Sequence, residues 1–324
     1  MVKPTVISLF AGCGGSSLGY KYAGFKELLA IEWDDNAVKT FKLNFPNIPI
    51  WQKDIKEITG QEIINSLGIK KGELDLLDGS PPCQGFSTAG KRIVSDGRND
   101  LVNENIRLIE ELEPKVFVIE NVSGMIKGKM KGLFINYIKK MKSLNYQVKC
   151  KLMNAKYYNV PQSRQRVIFI GVRKDLGIEP SYPEGNKKLI TVKEAIKDIK
   201  DEGKKLTPEA IKYYPKLKYG ESASKYHPKG HLFGLIKLNP DKPCPTLTRS
   251  AGASKHVHWK EERFIGIKER ARIGSFPDSF KWNGSWTNTY DQIGNSVPPL
   301  FMKAIAEHIR INILEKAVML NEGH

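Results

Sequence analysis

The apolar positions of this chain follow two rhythms. Short apolar runs at Thr5–Phe10, Leu28–Glu32, Leu74–Leu77, Val116–Glu120, Val148–Met153 and Val167–Val172 end in turn residues or polar breaks, as buried strands do. Between them, Ser16–Ala23, Asp35–Phe45, Leu101–Leu112 and Gly132–Leu144 repeat apolar residues at helical spacing. This alternation up to about residue 172 predicts a doubly wound, Rossmann-like α/β domain, with a parallel sheet covered by crossover helices. From about Arg173 to Pro245 the alternation stops and prolines accumulate, among them Pro208, Pro215, Pro228, Pro240 and Pro243, so a small inserted domain is expected there. After Arg263 helical character returns at Ile267–Ile273, a turn follows from Gly274 to Pro277, and a last helix is expected from Pro299 to about Leu314. The expected organisation is 1–172, then 173–262, then a segment 263–324 that returns to the first domain.

Composition narrows the partners. The chain has 324 residues and no apolar run of about 18, which argues against a membrane span. Its start, Met1-Val2-Lys3-Pro4, enters the first apolar run without a secretory pattern, so a cytoplasmic protein is expected. Lys and Arg total 52 against 35 Asp and Glu, a net charge of +17, and this favours a polyanion, nucleic acid first. A lysine-rich, merely soluble composition gives the same balance. Within the proline-rich stretch, Lys204, Lys205, Lys212, Lys216, Lys218, Lys225 and Lys229 interleave with Tyr213, Tyr214, Tyr219 and Tyr226. That mixture suits a phosphate backbone, or equally a solvated basic surface over a few core tyrosines. Cys13, Cys83, Cys150 and Cys244 form no CxxC or Cys/His spacing, so neither zinc nor disulfide staples are expected.

The first strand runs into Ala11-Gly12-Cys13-Gly14-Gly15-Ser16 and a helix, a context in which glycines let a ligand approach the backbone. A dinucleotide fingerprint starting at Gly12 needs glycine at 17, where Ser17 stands, so a pyrophosphate cradle is disfavoured. Glu32 ends the second strand 20 residues after Gly12, placed to accept from ribose hydroxyls. Trp33 can stack on adenine, Asp54 can accept from its amino group, and Ile55 can pack on the ring. Together these suit an adenosine without phosphates, as in S-adenosylmethionine.

The strand Leu74–Leu77 leads to Asp78-Gly79-Ser80-Pro81-Pro82-Cys83-Gln84-Gly85-Phe86-Ser87. Two prolines stiffen the approach to a cysteine set among turn formers and polar groups, which points to a nucleophile rather than a buried inert thiol. Glu120 ends the next strand at the same sheet edge. Arg164 and Arg166 alternate in an extended segment and are expected on one face; pairing with surface acids is the plainer reading of that pair.

At this point the chain resembles the cytosine-C5 DNA methyltransferases of bacterial restriction-modification type. The resemblance runs nearly end to end, through Phe10-Ala11-Gly12-Cys13-Gly14-Gly15, Pro82-Cys83-Gln84, Glu120-Asn121-Val122, Gln162-Ser163-Arg164-Gln165-Arg166 and Gln292-Ile293-Gly294-Asn295-Ser296-Val297-Pro298-Pro299. Arg270-Ala271-Arg272-Ile273-Gly274-Ser275-Phe276-Pro277-Asp278 is similar to the family's helix and turn after its target-recognition region, which the resemblance places within 173–262.

The resemblance implies transfer of a methyl group from S-adenosylmethionine to cytosine carbon 5 in duplex DNA, with the base flipped out of the stack. Cys83 would add to carbon 6, Glu120 would hold or protonate N3, and Arg166 would contact O2. Arg164 would orient Glu120 or a phosphate. The implied cofactor set is Phe10, Gly12, Gly14, Gly15, Glu32, Trp33, Asp54, Ile55, Pro82, Leu101, Asn295 and Ser296. Gln84, Ser87, Lys91, Arg92 and Arg98 lie on an implied catalytic loop against the DNA. A monomer is expected, with no metal; a cognate restriction endonuclease fits the family without implying a stable complex. Two alternatives are a tRNA cytosine-C5 methyltransferase, disfavoured because the Cys-Phe-Thr tripeptide of that branch is absent, and a catalytically silent nucleic-acid-binding relative, disfavoured because Cys83, Glu120 and Arg166 are all retained.

Overall fold

The computed structural model describes residues 2–82, 100–126, 131–200, 203–249 and 255–322. Two compact units result, one made of Met1–Asn154, Gln165–Glu184 and Met302–His324, the other of Ala155–Arg164 and Gly185–Phe301. The cuts therefore differ from the 1–172, 173–262 and 263–324 segments drawn from composition. Compactness groups 263–301 with the proline-rich stretch, because the helices there bury their apolar faces locally.

In the first unit the strands are β1 (Thr5–Leu9), β2 (Lys26–Glu32), β3 (Ile50–Gln52), β4 (Leu76–Gly79), β5 (Val116–Val122), β6 (Tyr146–Asn154) and β8 (Gln165–Arg173), in the sheet order β3-β2-β1-β4-β5-β8-β6. The strands β3, β2, β1, β4 and β5 pair in parallel. The expected all-parallel sheet is corrected at its other edge, where β8 runs antiparallel to both β5 and β6. A parallel return needs a crossover of a dozen or more residues, usually helical. Between β6 and β8 the chain has only the short stretch 155–164, with a single 3₁₀ turn and no crossover helix.

The covering helices are α1 (Gly15–Tyr22), α2 (Asp35–Asn44), α3 (Gly60–Leu67), α4 (Asp100–Leu112) and α5 (Lys131–Ser143). Their starts follow capping chemistry: the Asp34 carboxylate accepts from Ala37 N–H and the Thr59 hydroxyl from Glu62 N–H. On α4, Val102, Ile106 and Ile109 recur at helical spacing and are buried in the same core as Ile7, Leu77, Phe117 and Phe169. Phe117 packs so closely on β8 that a Cβ at Gly171 would stand 2.1 Å from its ring.

The second unit holds α6 (Val192–Ile196), α7 (Pro208–Tyr213), α8 (Ile267–Ile273) and α9 (Trp286–Asn295), with a small parallel sheet of β7 (Gln162–Ser163) and β9 (Cys244–Pro245). Helix α9 escapes periodicity because Trp-Thr-Asn-Thr-Tyr-Asp carries few apolar side chains; its start is set by the Ser285 cap on Asn288 N–H. The expected helix from Pro299 to Leu314 is α10 (Pro299–Ile309) followed by a π-helical stretch, Arg310–Leu314, and then α11 (Glu315–Glu322). Of the interleaved tyrosines, Tyr214 belongs to the core with Leu206, Leu235 and Phe264, and Tyr213 and Tyr226 pack against it, so these three rings are structural. Tyr219 is exposed.

Candidate active site

The loop after β1 folds back on itself before α1 begins. Phe10 and Gly12 take φ of 55° and 57°, and Gly14 takes 96° as the N-cap of α1. A bulky residue in the left-handed region is uncommon and is held only where its surroundings fix it, as Ala11 N–H donating to the Ile31 carbonyl at 3.0 Å does here. A Cβ at Gly14 would stand 2.4 Å from Phe45, so packing against α2 demands glycine there; a Cβ at Gly12 would meet nothing within 4 Å among the described residues.

Glu32 emerges beside this loop and is buried. Its Oε2 accepts from Gly12 N–H at 2.8 Å and its Oε1 from Trp33 and Asp34 N–H, each at 2.9 Å. A carboxylate has about four lone-pair sites, so three backbone donors fix the side chain and leave acceptor capacity for a hydroxyl. Burial raises its carboxyl pKa, opposed by these same N–H donors. The Trp33 ring next to it is 73% exposed, a flat apolar surface without a protein cover. Asp54 caps the 3₁₀ turn Ile55–Glu57 by accepting from Lys56 N–H at 3.0 Å. Ile55 is 4% exposed and belongs to the core, where its main task is anchoring that turn.

Sequence reading missed the residue that steadies this turn. Arg107 on α4 donates to the carbonyls of Ile55 and Ile58 at 3.2 and 2.8 Å, and is itself gripped by Glu104 and Glu111. The spacing Glu104, Arg107, Glu111 is the i,i+3 and i,i+4 signature of such a helical pair and was available in the sequence. Leu101, in the first turn of α4, is partly buried against the same core. An open glycine backbone, a fixed acceptor with spare capacity and an exposed indole together fit a neutral nucleoside bearing hydroxyls, and nothing in the set supplies cations for a pyrophosphate.

Strand β4 leads into the segment that precedes Cys83. Gly79 lies against Asn105 of α4 so tightly that a Cβ there would meet Asn105 Nδ2 at 1.8 Å. Pro81 is buried and Pro82 exposed. Cys83, Gln84, Ser87, Lys91, Arg92 and Arg98 lie outside the described residues. On the neighbouring strand β5, Glu120 is buried and its Oε1 stands 2.7 Å from Arg166 Nε of β8. Val122 faces Arg166 in the antiparallel register, so Glu120 and Arg166 are diagonal neighbours on one face. Arg166 also donates to the Gln165 carbonyl. The two charges compensate each other, and removing either from such a buried pair costs about 3–5 kcal/mol.

Arg164 does not share that location. It is buried in the second unit, where its guanidinium donates to the carbonyls of Leu247 and Gly294 at 3.0 Å and of Asn295 at 3.3 Å. The expectation of both arginines on one face fails because β7 ends at Ser163 and β8 begins at Gln165, so the chain leaves one unit for the other between them. Arg164 knits the Gln162–Ser163 strand to the segment after β9, as do the Thr246 hydroxyl donating to Ser163 O and Leu247 N–H donating to Gln162 Oε1. Asn295 and Ser296 stand at the C-terminal end of α9 in that second unit.

A buried acid cluster behind α1 was also missed. Burial pushes Asp78 up to about 8, helped by the charges of Glu27 and Glu120 and opposed by Tyr20 and Ser16. Burial likewise pushes Glu27 up to about 7, although Ser17 Oγ donates to it at 2.9 Å. The only signal was an acid closing an otherwise apolar run, Leu76-Leu77-Asp78.

Residues 4–310 match the family described as C-5 cytosine-specific DNA methylase. This chain belongs to that family. It is 33% identical to the type II methyltransferase M.XorII of Xanthomonas oryzae pv. oryzae, over 95% of this chain and 85% of that protein. It is also 33% identical to the type II methyltransferase M1.HphI of Haemophilus parahaemolyticus, over 94% of this chain and 86% of its relative. Among solved structures, a prophage-encoded protein of E. coli superimposes with a TM-score of 0.80 at 27% identity, covering 97% of this chain and all of that one. The S. pombe Dnmt2 methyltransferase shares the fold alone, at 18% identity and a TM-score of 0.67 over 97% of this chain and 99% of that one. The family assignment, the α/β methyltransferase fold and the enzyme class expected from the motifs therefore stand, and methylases of this family use S-adenosylmethionine. No helix among the described residues is long and apolar enough to cross a membrane.

Proposed function

We propose that this methylase acts on a cytosine flipped out of duplex DNA, with Cys83 as a transient covalent nucleophile. The Glu120–Arg166 pair carries the reading. It presents a carboxyl and a guanidinium together, buried at the end of β5, the strand beside the one that leads to Cys83. Cytosine carbon 5 is a weak nucleophile. The Cys83 sulfur adds to carbon 6, breaking the carbon 5–carbon 6 π bond, and Glu120 holds or protonates N3, which stabilises the charge developing on the ring and leaves an enamine nucleophilic at carbon 5. Arg166, fixed by Glu120, neutralises charge at O2. S-adenosylmethionine, when bound, supplies the methyl group as an activated sulfonium. Transfer of the carbon 5 proton to a solvent-derived base then expels the Cys83 sulfur and restores the aromatic ring.

Gly12, Glu32 and Trp33 are assigned to the cofactor's adenosine, since their backbone, acceptor and ring are the groups that a nucleoside without phosphates needs. The basic composition supports a polyanionic substrate and offsets part of the few kcal/mol that unstacking a base requires.

The test is methyl transfer to duplex DNA and to tRNA side by side, with Cys83→Ser as the control. Wild type should methylate duplex cytosine. The variant should lose at least about a thousandfold in turnover while retaining cofactor and DNA affinity. Near-normal turnover by Cys83→Ser would rule out the covalent route, and transfer to tRNA alone would refute the substrate.

A further inference from the structure

In the second unit, the indole of Trp286, at the start of α9, stacks on Tyr290 with centroids 4.6 Å apart, and the Arg270 guanidinium lies 3.5 Å from the Tyr290 ring. Two ammonium groups share the Trp286 ring: Lys204 and Lys255 each place Nζ 4.8 Å from its centroid. Tyr290 stacks on the indole from one side, so both lysines are left to the remainder of its surface. Neither ammonium has a carboxylate within ion-pair distance among the described residues; the nearest acid on α9, Asp291, is 3.5 Å from Arg249 instead. The like charges oppose each other. Burial lowers the Lys255 pKa, the Lys204 charge lowers it further, and Asp291 only partly restores it.

Two like charges gathered on one aromatic support repel each other, and a bound anion relieves that repulsion. We propose that Lys204 and Lys255 form a phosphate-binding subsite over Trp286 for the sugar-phosphate backbone of the duplex substrate. The proposal rests on the DNA-methylating reading above and adds a positioning contact supplied by the second unit. A phosphate contact carries no sequence information, so it fixes the register of the duplex without choosing the base. The stacked Trp286–Tyr290–Arg270 column explains why the lysines hold their place, since a fixed ring lets two flexible side chains converge at reduced entropic cost.

The test is duplex binding against salt concentration for wild type, Lys204→Met and Lys204→Met/Lys255→Met, substitutions that keep an apolar stem on the indole and remove the charge. For the double variant, the slope of log affinity against log salt should become shallower by about 1, and affinity near physiological salt should fall about tenfold, equally for cognate and non-cognate duplexes. Turnover at saturating DNA and cofactor affinity should not change. Lys204 is exposed, so the single variant should fold in any case and bind several-fold more weakly. An unchanged slope while wild type binds duplex normally overturns the subsite alone. Wild type that shows no salt-dependent duplex binding overturns the DNA reading and the subsite with it, and a loss confined to the cognate sequence overturns the backbone assignment.

Discussion

The Glu32 side chain shows how firmly backbone donors can fix a single carboxylate. Three backbone N–H groups hold the carboxylate, so little rotamer freedom remains to be lost when a ligand hydroxyl adds to it. A charge-assisted hydrogen bond is worth about 1.5–3 kcal/mol, so Glu32→Ala should weaken cofactor binding by roughly 10- to 100-fold with the fold preserved. Isothermal titration with S-adenosylmethionine checks this, and an unchanged affinity would remove Glu32 from the pocket. That Gly12, Glu32 and Trp33 stand together was legible because all three lie within one local strand-loop-helix connection. Arg164 was misplaced for the opposite reason. Alternation along an extended segment assumes that the strand continues, whereas the break between Ser163 and Gln165 sends its side chain to the carbonyls of Leu247, Gly294 and Asn295.

At the scale of elements, the apolar rhythm located the first unit's strands other than the three-residue β3, and its covering helices other than α3, within a few residues, because a buried strand and an amphipathic helix each write their period into the chain. The direction of β8 left no such mark. A strand buried on both faces looks the same in sequence whether it runs parallel or antiparallel, and only the brevity of 155–164 hinted at the reversal. Helix α9 was invisible because its apolar content is low. Packing between elements, which sequence cannot display, has a sharp consequence at Gly79. Gly79→Ala should destabilise the protein by about 1–3 kcal/mol, since the new methyl must displace the Asn105 side chain of α4. Adding Asn105→Ala should recover part of that loss in urea denaturation. A fully tolerated Gly79→Ala would show that the close approach does not constrain the turn leading to Cys83.

For the whole molecule, the buried acids set a pH dependence. Glu27 near 7 and Asp78 near 8 bind protons in the folded state that the unfolded chain has already released above about 4, so stability falls as pH rises through that interval. The buried His256, lowered to about 3 by burial, acts in the other sense, adding stability as pH rises from 3 and reaching its full value above about 6.5. Between pH 6.5 and 8.5 the acids therefore dominate. Urea unfolding should show at least about 1 kcal/mol lost across that window. Glu27→Gln/Asp78→Asn should flatten the curve; an equal decline in that variant would place the titrating groups elsewhere.

The routing of the chain has a consequence for how the protein is made. The first unit is assembled from three stretches, and the last of them, 302–324, follows the entire 185–301 stretch. Arg310 donating to the Ala23 carbonyl and His308 bonded to Ser181 tie that final stretch to residues translated long before. During synthesis these two ties can form only after the whole 185–301 stretch has emerged, so the first unit is completed last.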